Sequence, residues 1–429
     1  MTQAEAEAYL LGFINYETLS RYKPTTRTHD IERFKAELIR QGWRPGEIST
    51  VHVGGTNGKG TVSVLLERVL RAGGLRTGLY TSPHLRSMRE RIRLDGRPVA
   101  SHAFRDGVSR LATRPSRTAG FRTTFEHLTA LGFLAFQEAK VDAAVVEVGL
   151  GGRLDATNVL HPGRAVLTPI ALDHTQILGR TVSRIASDKA HILKRKGTAF
   201  LMPQGPTAKT ALLKRCRHES LKPIWTSEQV DVDTIATTAD GSSLRIRGRQ
   251  DYGTITTRLL GGHQPANVAA VVTVAETLLS GDALARGVKR GLTDARVAGR
   301  LDLRATSIGQ VLLDGGHNPA AARVVARALC THFPGAKVHA VVAMARDKDM
   351  RGYLGALEPL VAAFHFTTTG SPRAASPVRL SQGASSGGFV HETWAAALEA
   401  ASKRRPDLLL VAGSFLLVGE VMGLLDLAP

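Results

Sequence analysis

Cysteine is nearly absent from this 429-residue chain, which has only Cys216 and Cys330. Two thiols cannot supply a disulfide framework or a cysteine-rich metal site, so each is expected to pack as a small apolar group or to sit free. Long apolar runs are missing too. The best candidate, 408–427, is interrupted by glycines, Ser414, Glu420 and Asp426, which argues against a membrane partner. The opening MTQAEAEAYL carries acidic side chains where a secretory leader would be basic, and a cytoplasmic location is the default expectation. Acidic residues are in deficit, 37 against 56 Lys and Arg, for a net charge of +19. That excess suits anionic partners such as nucleoside triphosphates, polycarboxylates or nucleic acid. The basic residues are scattered, with Lys194-Arg195-Lys196 and Lys403-Arg404-Arg405 as the tight runs. Without a basic stripe interleaved with aromatics, a nucleic-acid partner is not expected.

What is present is a soluble-type composition, 43% hydrophobic and 22% charged, in a chain long enough for two or three domains. One stretch organises it. Thr50-Val51-His52-Val53 is a β-branched run that enters the turn Gly54-Gly55-Thr56-Asn57-Gly58-Lys59-Gly60-Thr61. The turn opens onto an apolar-periodic segment with Val62, Leu65, Leu66, Val69 and Leu70. Strand, glycine loop and helix in that order place backbone amides, a helix N-terminus and the Lys59 ammonium around one anion. The pattern departs from the usual P-loop, because Val53 replaces the first glycine and Gly60 stands between Lys59 and Thr61. A plain connecting turn is the bland alternative.

Strands and helices then alternate. Residues 1–48 read as helical around a polar loop containing Pro24, with Asp30 as a cap. Strands are expected at 76–81, 141–148, 164–170 and 199–202, and helices after Thr123 and through Val182 to Leu193. Thr123 and Glu126 have capping-box spacing. Residues 84–97 carry seven charges and read as a solvated loop or hairpin. From 222 to 260 short alternating strands suggest a small antiparallel appendage, followed by a helix to Leu279 and a junction at 297–301. A second α/β unit follows, with strands at 310–313, 338–344, 364–368 and 408–412, and with Asn318 and Pro319 as the cap and first position of a helix. The expected fold is α/β: an N-terminal P-loop domain with a doubly wound, mostly parallel sheet and the small antiparallel appendage (1–296), then a C-terminal Rossmann-like domain (297–429).

Lys59, Ser82, Glu147, Asp173, His174, Asp314, His317, Asp347 and Ser414 all fall at or just past the carboxyl ends of expected strands. Open α/β sheets bind ligands at that edge, so the two units are expected to form halves of one cleft. Singly, each has a bland reading. Glu147 could hold Mg2+ near a P-loop or cap a helix, Ser82 could be a ligand or a turn former, His174 a metal ligand or a packing residue, and Lys189 a solvated lysine.

Taken together the motifs resemble a family. Gly55 to Thr61, Ser82-Pro83-His84-Leu85 with Glu90-Arg91, Thr123 to Glu126, Glu147 to Asn158, Asp173-His174-Thr175, Asp188-Lys189-Ala190, His263-Gln264 with Asn267, Gly299-Arg300, Asp314 to Pro319 and Gly413-Ser414 are similar to the ordered motifs of folylpolyglutamate synthase/dihydrofolate synthase, a branch of the Mur ligase superfamily. Departures at Gly316, Val297-Ala298 and His191 remove no reacting group. The resemblance implies an ATP-dependent ligase that adds L-glutamate to a pteroate or folate carboxylate through an acyl phosphate, acting as a monomer on small molecules with ATP and Mg2+. Gly55, Thr56, Asn57, Gly58, Lys59, Gly60 and Thr61 would hold the phosphates, and Asn267, Arg300, Asp314 and His317 would contact nucleotide across the domain cleft. Ser82, Glu147, His174 and a carbamylated Lys189 would hold magnesium. Thr123, Phe125, Asp155 and Ser414 would face substrate, and Lys59, Lys189 and His317 would serve catalysis. A different carboxylate acceptor and a nucleic-acid-stimulated ATPase are the competing readings.

Overall fold

The computed structural model describes residues 1–15, 30–113, 120–161 and 163–428; the expected Pro24 loop lies outside them. The first unit is an eight-stranded sheet of β1 (Ser49–Gly54), β2 (Thr77–Tyr80), β3 (Ile92–Leu94), β4 (Arg97–Pro98), β5 (Ala143–Glu147), β6 (Arg164–Leu167), β7 (Thr198–Leu201) and β8 (Ile224–Trp225). Its order is β4-β3-β2-β5-β1-β6-β7-β8. β2, β5, β1, β6, β7 and β8 run parallel, and β3 and β4 add an antiparallel edge. A three-stranded antiparallel sheet follows, β9 (Asp231–Thr238), β10 (Gly241–Arg247) and β11 (Asp251–Thr257).

The chain then builds β12 (Asp302–Thr306), β13 (Gly309–Asp314), β14 (Val338–Val342), β15 (Ala363–Phe366), β16 (Phe389–Val390) and β17 (Leu408–Ala412), in the order β12-β13-β17-β14-β15-β16. All are parallel neighbours except β12, which is antiparallel to β13. This is the doubly wound α/β pattern twice over.

Burial explains why these segments order. In β1, Val51 and Val53 are fully buried, and the periodic positions Val62, Leu65, Leu66, Val69 and Leu70 of the Lys59–Ala72 helix are fully buried against them. The Gln264–Ala275 helix is buried almost all round and completes that core. A second layer on the other sheet face gathers Leu10, Phe34, Phe104, Phe133 and Phe136. The Ser101–Thr113 and Gly281–Leu292 helices had no sequence expectation.

The 84–97 segment forms the hairpin its sequence allowed, with β3 antiparallel to β4, but it is not solvated throughout. Met88–Arg91 forms a 3-10 turn and β3 pairs with β2, leaving Glu90 and Arg91 buried. The local sequence looked solvated because it is charged. Glu90 is accommodated inside because it accepts the amides of Leu85, Arg86 and Ser87 at 2.9, 3.0 and 2.8 Å, which satisfies a carboxylate that would otherwise be costly to bury.

Candidate active site

β1 delivers the chain to the glycine loop, where the Pro169 carbonyl accepts the amides of Thr56 and Asn57 at 3.1 and 3.2 Å. The amides from Gly58 onward belong to the first helical turn, which has no carbonyls of its own to bind. Gly58 caps that helix in a left-handed conformation (φ 88°) with no side-chain cap, so the turn is left open to an anion. Lys59 Nζ reaches back to the Thr56 carbonyl at 3.2 Å. Burial lowers its pKa, an effect countered by Glu147 and reinforced by Arg300. A Cβ on Gly60 would lie 2.7 Å from Arg300 Nη2. The residue that departs from the usual P-loop is therefore the one beneath a guanidinium from the junction, and Arg300 is itself stacked 4.8 Å over the Phe415 ring.

All nine strand-end residues line one cavity of ≈ 1160 Å3 between the two units, together with Thr56, Asn57, Gly58, Thr61, Thr123, Phe125, Asp155 and Arg300. Gly55, Gly60, Asn267 and Lys189 stand just behind its wall. Asn267 is buried, bonded to Gln264 at 2.9 Å, with Oδ1 3.1 Å from where a Gly58 Cβ would be. Lys189, only 4% exposed, donates to the Gly55 carbonyl at 2.7 Å. Burial, with Lys59 nearby, pulls its ammonium down to about 7, so an ordinary-looking helix lysine becomes one with a substantial neutral fraction.

Of the four residues expected to hold magnesium, Ser82 and Glu147 meet each other, while His174 and Lys189 have other partners. Glu147, at the end of β5, accepts the Ser82 amide at 3.1 Å, and burial raises its pKa against the pull of Lys59 and Arg300. His174 instead joins Asp173 and His317, whose ligand atoms all lie within 4.8 Å of one another. Although 32% and 29% of the His174 and His317 side chains reach solvent, the cleft depresses them to about 3 and about 4, chiefly by desolvation. Both rings are neutral near pH 7. His317 Nδ1 lies 3.2 Å from the Gly315 carbonyl, and since a carbonyl can only accept, Nδ1 carries the proton and Nε2 keeps its lone pair.

Asp173 carries more than its strand-end position indicated. Its carboxylate pairs with Lys348 Nζ at 2.8 Å and accepts from Asn318 Nδ2 at 3.1 Å. Asn318 Nδ2 also lies 3.3 Å from Asn57 Oδ1. Burial alone would raise the Asp173 pKa, but His174, Lys348 and His317 outweigh it and hold the carboxyl far below the usual range. Lys348 and Asn318 belong to the second unit, Asp173 and Asn57 to the first, so this network crosses the cleft. Sequence reasoning selected Asp347 from the β14 exit, whereas Asp347 pairs with Arg373 at 2.6 Å and its neighbour Lys348 makes the crossing.

On the remaining wall, Thr123 caps the Thr124–Glu138 helix through the expected capping box, so its hydroxyl is already engaged. Asp155 accepts the Leu150 and Thr157 amides at 2.8 and 3.0 Å, and burial raises its pKa against those bonds. The Phe125 ring presses on the Gly149 backbone, with Cζ 2.4 Å from an added Cβ. Ser414 caps the Phe415–Leu424 helix, accepting the Leu417 amide at 3.4 Å. Asp314 accepts the Leu301 and Gly316 amides, both at 2.9 Å, and fixes the junction against the β13 exit. Among the described residues no helix is long and apolar enough to cross a membrane.

Comparison with known proteins agrees with this architecture. Residues 53–275 match the Mur ligase middle domain and residues 299–415 the Mur ligase glutamate ligase domain. The chain is 34% identical to the dihydrofolate synthase/folylpolyglutamate synthase of Mycobacterium tuberculosis, over 82% of this chain and 77% of that one. It superposes on M. tuberculosis folylpolyglutamate synthase complexed with ADP with a TM-score of 0.87 at 29% identity, covering 100% of this chain and 99% of that one. Escherichia coli FolC in complex with DHPP and ADP gives 0.84 at 27% identity, covering 99% and 98%.

Proposed function

The chain belongs to the dihydrofolate synthase/folylpolyglutamate synthase family of Mur ligases, and from that premise we propose that it joins L-glutamate to a pteroate or folate carboxyl group at the expense of ATP. The observation that carries the reading is the single cavity in which a phosphate-binding helix start on one sheet faces Asp314, His317 and Ser414 on the other. Relatives solved with ADP, and in one case with DHPP, support a nucleotide and a pterin-like acceptor in that space.

In the proposed reaction the acceptor carboxylate attacks the γ-phosphorus of ATP, giving an acyl phosphate and ADP. The glutamate amine then displaces inorganic phosphate. The first-turn amides, Lys59 and Arg300 hold and offset phosphate charge. His317, with Nε2 unprotonated near neutral pH, is assigned to take up a proton from the glutamate nitrogen as the amide bond forms. Closure of the two units in the reaction would exclude water that would hydrolyse the acyl phosphate.

Magnesium fits the oxygen-bearing part of the wall. Ser82 and Glu147 offer hard donors beside Lys59, whereas the Asp173, His174 and His317 group is two-thirds nitrogen and a poorer match. The lowered Lys189 pKa supports carbamylation, in which a neutral amine adds CO2, releases a proton and becomes a further oxygen donor. Mg2+ held mainly by the oxygens of Ser82, Glu147 and modified Lys189, with His174 as a single nitrogen ligand, would neutralise charge on the phosphates. Asn267 and Asp314 are assigned to the nucleoside, and Phe125, Thr123 and Asp155 to the acceptor side. We also propose a monomer.

The test is ATP-dependent incorporation of labelled glutamate into dihydropteroate and, separately, into tetrahydrofolate, with Lys59→Ala as control. Incorporation into at least one acceptor that is lost in Lys59→Ala is expected. No incorporation into either, or a fully active Lys59→Ala, refutes the proposal.

A further inference from the structure

His52 is fully buried in β1, immediately ahead of the glycine loop, and nothing in the proposed reaction uses it. Its Nε2 lies 2.8 Å from Thr157 Oγ1, while Nδ1 finds no hydrogen-bond partner among the described residues. The Thr157 hydroxyl in turn bonds Asp155 Oδ1. That oxygen also accepts the Thr157 amide at 3.0 Å, and Oδ2 accepts the Leu150 amide at 2.8 Å. Lys194 anchors the far end of the same loop by donating to the Asn158 and Leu160 carbonyls at 2.5 and 2.6 Å.

Two proton arrangements satisfy the distances. In the first, Asp155 is a carboxylate, Thr157 donates to it, and His52 donates Nε2–H to Thr157, so the orphan at Nδ1 is a lone pair. In the second, Asp155 is protonated and both side-chain bonds reverse, so the orphan is a buried N–H. Buried donors without an acceptor are the rarer case, and the amides and hydroxyl directed at Asp155 offset part of the burial that raises its pKa. The first arrangement is the one the surroundings support. A doubly protonated ring would be worse than either, and burial depresses the His52 pKa to about 3.

We propose that His52 is a positioning residue for the acceptor side of the cleft, locking the Thr157 hydroxyl as a donor to Asp155 and so fixing the loop from Gly149 to Asn158. The inference rests on the reading of Phe125 and Asp155 as acceptor-site residues. Phe125 packs on Gly149, and Asp155 Oδ2 is 3.1 Å from the position of a Gly149 Cβ. A loosened Asp155 therefore shifts the surface the acceptor ring meets, while the phosphate loop on the other side of β1 keeps its own bonds to Pro169.

The variants are His52→Met, which keeps volume but has no donor, and His52→Gln, whose amide can donate from nearly the same place. Loss of one buried hydrogen bond predicts that His52→Met raises the KM for the pteroyl acceptor about fivefold, with the KM for ATP unchanged and His52→Gln recovering most of the loss. Nitrogen-15 NMR of the unmodified protein reads the ring directly and does not depend on a variant folding. A fixed Nε2–H tautomer that does not titrate between about pH 5 and about pH 8 is expected.

An Nδ1–H tautomer, a titrating ring, an unchanged acceptor KM or an equal rise in both KM values overturns the proposal. Asp155→Asn separates the two levels. If it leaves the acceptor KM unmoved, the acceptor-site reading fails and takes the relay with it. If it raises that KM while His52→Met does not, the relay alone fails.

Discussion

Replacing Lys348 by Met tests whether the two halves of the cleft are held in register by charge. Lys348 Nζ and Asp173 Oδ1 are 2.8 Å apart, with side chains 9% and 12% exposed, so solvent screens the pair little. Removing one member of a buried pair strands the other and costs roughly 3–5 kcal/mol. Here Asp173 keeps the Asn318 amide at 3.1 Å and the His174 backbone amide at 2.8 Å, so a smaller cost of about 2–3 kcal/mol is expected. Because the pair joins separately cored units, that cost falls on their closed arrangement more than on either core. It predicts a drop in kcat/KM of roughly 30-fold to 150-fold with little change in Tm. Asp173→Asn added to Lys348→Met removes the stranded charge and should recover part of the loss, giving a non-additive cycle. As for pH, the Asp173 carboxyl is held below its ordinary value. Its stabilising contribution is complete above about pH 4 and is lost only as pH falls through the depressed folded value, so neutral assays are insensitive to it. Wild-type kinetics in Lys348→Met, or strictly additive losses in the double variant, refute the reasoning.

Two further outcomes follow from the glycine loop and the buried lysine. Gly60→Ser, which brings a hydroxyl back next to Lys59, should weaken ATP use, because a Cβ there meets Arg300 Nη2 at 2.7 Å. Displacing that guanidinium is expected to raise the KM for ATP about tenfold, and an equal or lower KM would show that Arg300 is dispensable. Stripping CO2 from the buffer should lower activity reversibly, with bicarbonate restoring it. The loss should be greater at about pH 6 than at about pH 8, since the Lys189 amine, with a pKa of about 7, is more protonated at the lower pH. Activity indifferent to CO2 at both pH values would refute carbamylation.

The architecture was legible where each element carries its own pattern. β1 and the helix after Lys59 read correctly because the buried positions repeat with the period of the element, and Asn318-Pro319 read correctly because a cap and a first-turn proline act locally. Strand-end polar residues pointed to one cleft because sheet topology alone sends them to the same edge. What was not legible depends on partners distant in sequence. Charge made the segment around Glu90 look solvated, and only the three amides folded around the carboxylate reveal why it is inside. His52 gave no signal beyond one polar residue in an apolar strand, since its partner Thr157 lies 105 residues away. Lys348 and Asp347 could not be told apart by position, because the choice depends on whether the partner is Asp173 or Arg373.

The departures in the glycine loop make sense once both units are considered together. A P-loop that serves one domain can place its Ser or Thr hydroxyl directly after the lysine, since nothing else needs that space. Here the space beside Gly60 belongs to Arg300, whose guanidinium is braced 4.8 Å over Phe415. The Arg300 backbone sits between Gly299, whose carbonyl accepts the Gly315 amide at 2.8 Å, and Leu301, whose amide donates to Asp314 at 2.9 Å. The cation over the first helical turn is thus fixed by the β13 exit and by a ring of the second unit. Any movement that separates the units withdraws Arg300 from the loop, and the same movement pulls Lys348 from Asp173 and Asn318 from Asn57. On the proposed assignment of the glycine loop to phosphate, phosphate binding and cleft closure depend on one set of residues. A missing side chain at position 60 allows that coupling, and a conventional hydroxyl there would obstruct it.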